Sequence, residues 1–264
     1  YEQGHGMKQD YQKAYEWYLK AAEQEHAEAQ YNLALMTKYG KGMKINLKET
    51  INWYKKSADN ANPNAQYELA MIYSQGDDQG GSIIKQNYSK ALKFFEKSAI
   101  QGHSKAQYCL GCMYFNGEGV KQNFVKAREW YLKAAEQEHV DAQYIMGVIY
   151  YNAKGIKKDL TKAKEWYLKA SKLGHIKSKY AIGCIYIQSE QEEGGNNQKM
   201  AHEWFLRAAI EGHDDSQYNL GAFFAEGIGV PKDFVKARYW WEKAAAQGNA
   251  KARSYLDMFD KEGV

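Results

Sequence analysis

The sequence predicts an all-α protein, a right-handed α-α superhelix (solenoid) of helix–turn–helix units about 36 residues long. Three observations carry that prediction. An aromatic pair recurs as Trp17-Tyr18, Trp53-Tyr54, Phe94-Phe95, Trp130-Tyr131, Trp166-Tyr167, Trp204-Phe205 and Trp240-Trp241, at intervals of 36, 41, 36, 36, 38 and 36 residues. A second anchor keeps step with it: Gln30-Tyr31, Gln66-Tyr67, Gln107-Tyr108, Gln143-Tyr144, Lys179-Tyr180 and Gln217-Tyr218. With only 2 prolines and few β-branched runs, nothing calls for a strand.

The elements follow in chain order. A helix over Tyr11–Glu25 is preceded by Asp10, a short polar residue that can cap free amides. The first complete unit starts at Ala27, turns at "GKGM" (Gly40–Met43) and caps its second helix with Asn46. The unit from Pro63 is interrupted by "GDDQGGSIIKQN" at Gly76–Asn87, five residues longer than its counterparts. The unit from Ser104 turns at "GEGV" (Gly117–Val120), where glycine supplies the positive backbone angles a reversal needs. Its second helix, Phe124–Gln137 behind Asn123, puts Ala127, Trp130, Tyr131, Ala134 and Ala135 on one face. In Val140–Asn152, Ala142, Met146, Gly147 and Tyr150 do the same, and Asp159 caps the helix that follows. The unit from Ile176 carries a two-residue insertion in "SEQEEGGNNQ" (Ser189–Gln198). The unit from Asp214 turns at "GIGV" (Gly227–Val230) before Asp233, and a lone helix runs from Ala250. The chain is thus one solenoid over 1–264: a partial unit at 1–26, six complete units over 27–249, and a single terminal helix at 250–264. Stacked pairs bury what a lone pair cannot, with aromatics filling the gaps. Trp130 is assigned to this core, so Trp130→Ala is expected to cost about 3–5 kcal/mol.

Composition excludes several classes. Net charge is +4, from 36 basic and 32 acidic residues that are interspersed rather than blocked, which is a solvated surface and not a nucleic-acid stripe. No run of about 18 apolar residues exists, so no membrane insertion is expected. Cys109 and Cys112 form C-x-x-C, but zinc would require a second pair. They read as small apolar residues of a repeat helix, since Cys112 and Cys184 share a position held elsewhere by Leu, Met, Val or Ala.

Five histidines (His26, His103, His139, His175, His213) occupy one slot just past each second helix. Equivalent slots in adjacent units lie about 8–10 Å apart or more, too far to share a metal. They read as helix endings of Schellman type, where a ring complements the preceding helix dipole. Glu16 and Lys20, Glu129 and Lys133, Glu165 and Lys169, and Glu203 and Arg207 read as solvated i,i+4 pairs. No nucleophile elbow, phosphate loop or metalloprotease helix is present, so no enzyme, cofactor or metal is expected.

The unit "SKAQYCLGCMYFNGEGVKQNFVKAREWYLKAAEQEH" (Ser104–His139) resembles the Sel-one-like repeat, a relative of the tetratricopeptide repeat, and the resemblance covers essentially the whole chain. It places Tyr1, Gly4 and Gly6 at the end of a first helix and its turn, so the chain is expected to continue upstream. The disulfide-rich branch has cysteines on both helices of a unit. Here all three lie on first helices, which favours a reducing compartment, with a bacterial secreted or periplasmic location left open. The resemblance implies a non-catalytic adaptor or scaffold that grips a peptide or protein domain on its first helices.

Carried onto this chain, that pattern makes Tyr31, Tyr67, Tyr108, Tyr144, Tyr180 and Tyr218 a ladder along a concave face, with Lys38, Phe115, Tyr151 and Ile187 beside it. Tyrosine suits an interface because it presents apolar area and a hydroxyl at low entropic cost. Packing between units, with only the hydroxyls exposed, is the other reading of the same ladder. Specificity would come from Glu28, Asn64, Lys105, Asp141, Lys177 and Asp215, which alternate in sign and argue against an RNA-reading position. The alternative function is an immunity or inhibitor protein that blocks a toxin or enzyme, for which the acidic loop Ser189–Glu193 is a candidate element.

Overall fold

The computed structural model describes residues 9–76, 84–189 and 196–262. Tyr1, Gly4 and Gly6, the centre of the first insertion and nearly all of the acidic loop after Ser189 lie outside these residues. Among the described residues the elements are fourteen α-helices. α1 (Tyr11–Ala22), α2 (Ala27–Tyr39), α3 (Leu47–Asp59), α4 (Pro63–Gln75), α5 (Tyr88–Ile100), α6 (Ser104–Asn116) and α7 (Phe124–Glu136) belong to one compact unit, Tyr1–His139. α8 (Val140–Asn152), α9 (Leu160–Lys172), α10 (Ile176–Gln188), α11 (Asn196–Ile210), α12 (Asp214–Glu226), α13 (Phe234–Ala246) and α14 (Ala250–Glu262) form the second, Val140–Val264. Inside each unit every helix packs against the next in the chain, the arrangement of an all-α solenoid.

Local chemistry explains where the helices start and stop. Asp10, Asn46, Asn87, Asn123, Asp159 and Asp233 each accept the backbone N–H three residues on, at 2.9–3.1 Å. First helices α2, α6 and α12 end at Gly40, Gly117 and Gly227, all left-handed. The second glycine of each turn has a further reason. A Cβ on Gly42 would lie 2.8 Å from Tyr11 Cβ, and one on Gly119 would lie 2.7 Å from the Tyr88 carbonyl carbon. The turn of one repeat therefore rests directly on the start of the preceding repeat's second helix.

The aromatic pairs divide their labour, which corrects the assignment of Trp130 to the core. In six of the seven pairs the second member is buried: Tyr54, Phe95, Tyr131, Tyr167, Phe205 and Trp241 are at most 3% exposed, while Tyr18 is half-buried. The first member sits on the flank: Trp17 is 59% exposed, and Trp130, Trp166, Trp204 and Trp240 are half-buried. Only Trp53 is also buried. Adjacent helix positions point about 100° apart, so the two rings of a pair meet different surroundings, and only on α3 are both covered. Space for the buried ring is made on the partner helix. A Cβ on Gly111 would come within 2.7 Å of Tyr131, one on Gly183 within 2.6 Å of Phe205, and Gly147 and Gly221 stand against Tyr167 and Trp241 in the same way.

The expected Glu–Lys pairs do not form among the described residues. Each base instead reaches over the flanking indole three residues earlier: Lys20 over Trp17 at 4.7 Å, Lys133 over Trp130 at 4.2 Å, Lys169 over Trp166 at 4.1 Å, and Arg207 over Trp204 at 4.7 Å. A half-exposed indole face offers a cation both apolar cover and ring electrostatics, more than a solvated carboxylate does.

Candidate partner-binding surface

Four first helices, α2, α4, α6 and α12, are fixed by a buried glutamine beside the ladder tyrosine. Gln30, Gln66, Gln107 and Gln217 donate to the carbonyls of Ala22, Ala58, Ala99 and Ala209 at 3.0–3.2 Å. Their Oε1 atoms accept from Asn60, Gln101, Gln137 and Gln247 at 2.7–3.0 Å. Each amide thus ties the second helix before it to the one after it, with both its ends satisfied. The repeat from Ile176 replaces the couple by an ion pair, Lys179 with Glu211.

The histidine slot also works differently from expectation. The backbone closes the Schellman stop: His103 N–H donates to Ser98 O, His175 to Ala170 O and His213 to Ala208 O, at 3.0–3.3 Å. The ring, however, belongs to the next helix. Nδ1 of His26, His103, His175 and His213 accepts the N–H of Ala29, Ala106, Ser178 and Ser216 at 3.1–3.3 Å. At a helix N-terminus a neutral acceptor is favoured and a positive charge is not, so the dipole reading of the sequence is reversed. Burial lowers the pKa of His103, His175 and His213.

These rings form a floor under the tyrosines. In the first unit Tyr31 lies against Tyr54 (5.9 Å between centroids), Tyr67 against Phe95 (6.0 Å) and His103 (4.8 Å), and Tyr108 against Tyr131 (5.7 Å) and His139 (4.7 Å). In the second, Tyr144 meets Tyr167 (5.7 Å) and His175 (4.4 Å), Tyr180 meets Phe205 (5.7 Å) and His213 (4.7 Å), and Tyr218 meets Tyr255 (5.8 Å). All six ladder tyrosines are half-buried, and burial pushes Tyr31 and Tyr67 up to about 12. Each ring packs on its neighbours and stays partly exposed.

The neighbours one or two turns further on are placed differently. Phe115 packs edge-on against Phe124 at 5.2 Å. Lys38 pairs with Glu68 at 2.8 Å at the edge of a 380 Å³ hollow with Tyr67 and Met71. Tyr151 and Ile187 meet in the second unit, where they line a 470 Å³ cleft with Cys184, Asn219, Phe223 and Ile228. Gln188 and Gln198 also line it. Sequence reasoning missed Asn219 and Ile228. Asn219 follows the ladder tyrosine directly and Ile228 is the variable residue of the GIGV turn, so both stood at positions where the repeats differ.

Among the described residues no three His, Cys, Asp or Glu side chains converge as a metal site would require. Burial raises all three thiols, Cys109 to about 12, so they stay protonated and weakly nucleophilic. Among the same residues no helix is long and apolar enough to cross a membrane.

The sequence matches the Sel1 repeat seven times, at residues 1–26, 27–62, 63–103, 104–139, 140–175, 176–213 and 214–249. The chain belongs to the Sel1 repeat family. Two solved structures show the same fold. A protective antigen present in uropathogenic Escherichia coli strains, displaying an SLR fold, is 29% identical with a TM-score of 0.84. That match covers 94% of this chain, which spans 52% of the antigen's length. A Sel1 repeat protein from Oxalobacter formigenes is 33% identical with a TM-score of 0.72, covering 98% of this chain and 73% of that one. Comparison with curated proteins finds no match. Sel1 repeats are helical, tetratricopeptide-like solenoids that generally act as protein-interaction scaffolds.

Proposed function

We propose that this Sel1 repeat chain is a non-catalytic scaffold that holds a segment of a partner protein against its first helices. In the second unit an apolar partner side chain seats in the cleft between Tyr151, Ile187 and Phe223. The cleft is the observation that supports this. Three successive first helices, α8, α10 and α12, contribute to one concavity with apolar walls. Its amides, Gln188, Gln198 and Asn219, can pair with the backbone of an incoming segment. One buried aliphatic side chain contributes about 1.5–3 kcal/mol, enough for an anchor when flanking contacts add to it. The half-exposed tyrosine edges of Tyr144, Tyr180 and Tyr218 supply further apolar contact and hydroxyls.

The repeats themselves offer the test. Ser74 and Lys38 hold the positions equivalent to Tyr151 and Ile187, so the pair Tyr151→Ser and Ile187→Lys uses residues this fold already carries there. Affinity purification with mass spectrometry should recover a partner with the wild-type chain and lose it with the double variant. A folded variant with an unchanged partner list refutes the proposal.

A further inference from the structure

The second unit has another groove, of 650 Å³, lined by its second helices α9 and α11 and the start of α10. Its floor is Leu168 and Trp204, and Ile210 stands at its edge, 69% exposed. Three cations surround it: Lys172, Lys179 and Arg207. The one carboxylate in the lining, Glu211, is already paired with Lys179. Arg207 lies over Trp204 at 4.7 Å, leaving its charge at the surface.

The same groove recurs in the first unit between α1 and α3, position for position. There Glu23 replaces Lys172, Gln30 replaces Lys179, Lys56 replaces Arg207 and Asp59 replaces Ile210, around the same indole, Trp53. That lining has three carboxylates (Glu23, Glu25, Asp59) against one lysine. One architecture therefore carries opposite charge at two places, and an exposed aliphatic edge at only the positive one. Packing demands none of this, because the acidic version folds around an equivalent indole.

We propose that the positive groove is a docking site for a protein segment in which acidic side chains neighbour aliphatic ones. The carboxylates would meet Lys172 and Arg207, and the aliphatic group would cover Ile210 and the exposed side of Trp204. Charge complementarity of this kind steers association and selects the partner's sign, and it weakens with salt. The site is independent of the first-helix cleft.

The test is fluorescence anisotropy of the full chain with a labelled peptide of alternating Glu and Leu, beside its Lys–Leu counterpart. The variant Lys172→Glu with Ile210→Asp installs the first unit's own residues, and a thermal melt verifies its fold. The Glu–Leu probe should bind saturably to the wild type, at least about tenfold more weakly to the variant, and more weakly as salt rises. Absence of saturable Glu–Leu binding, equal binding by the folded variant, or equal binding of the Lys–Leu probe overturns the proposal. So does loss of Glu–Leu binding in the Tyr151→Ser, Ile187→Lys variant alone, which would move the probe to the other cleft.

Discussion

Acidification should loosen this protein through its histidine caps. The ring nitrogens of His103, His175 and His213 accept backbone N–H groups at 3.1–3.2 Å, and a protonated imidazole has no lone pair to offer. Around His103, burial and Lys105 lower the pKa while Glu68 raises it. Around His175, burial and Lys177 oppose Asp141, 3.9 Å from Nε2. Around His213, burial and Lys177 oppose Asp215 and Asp214. Burial is the largest cause in all three, so the folded pKa lies below the unfolded value of about 6.5. The unfolded chain then binds more protons, and the caps' contribution is fully present above that value and lost as pH falls through the folded pKa. Losing one cap costs about 1 kcal/mol, so three together cost about 3 kcal/mol. For a chain of this size that lowers the melting temperature by about 6–12 °C. Asn62 and Asn249 already cap α4 and α14 from the equivalent slot, accepting from Ala65 and Ala252 at 3.0–3.1 Å. The triple variant His103→Asn, His175→Asn, His213→Asn therefore keeps capping and removes titration. Melts of both proteins at about pH 7.5 and about pH 5 should show a large drop for the wild type and a much smaller one for the variant. Equal drops would refute the capping argument and leave carboxylates as the cause.

Two further outcomes follow from the packing. Tyr131→Ala should destabilise by about 3–5 kcal/mol and Trp130→Ala by clearly less, read from denaturant midpoints, because Tyr131 is buried while Trp130 lies on the flank under Lys133. Gly221→Ala should cost about 1–3 kcal/mol by the same measurement, since its Cβ would collide with Trp241, itself held by an Nε1 hydrogen bond to the Tyr218 carbonyl at 3.0 Å.

What the sequence determined by itself is whatever repeats. The 36-residue spacing of Trp-Tyr and Gln-Tyr, the Gly-x-Gly turns and the Asp or Asn before six of the second helices specify the helices and the family. Their causes are local: helical periodicity, left-handed glycine and a side-chain cap within three residues. Tertiary structure alone decided how deeply each member of an aromatic pair is buried, and at Tyr131, Tyr167, Phe205 and Trp241 a glycine on the neighbouring helix makes the room. It also decided that Lys133 covers Trp130 rather than meeting Glu129, and that each capping histidine faces forward to the next helix. The tyrosine ladder shows the division most clearly. Its spacing was visible in the chain, but only the packed rings of His103, His175 and His213 show that the ladder is anchored from beneath. The cleft of Tyr151 and Ile187 and the two oppositely charged grooves lie at positions where the repeats differ. The period gives the positions but not the residues that fill them, and only the stacking of helices distant in sequence brings those residues together.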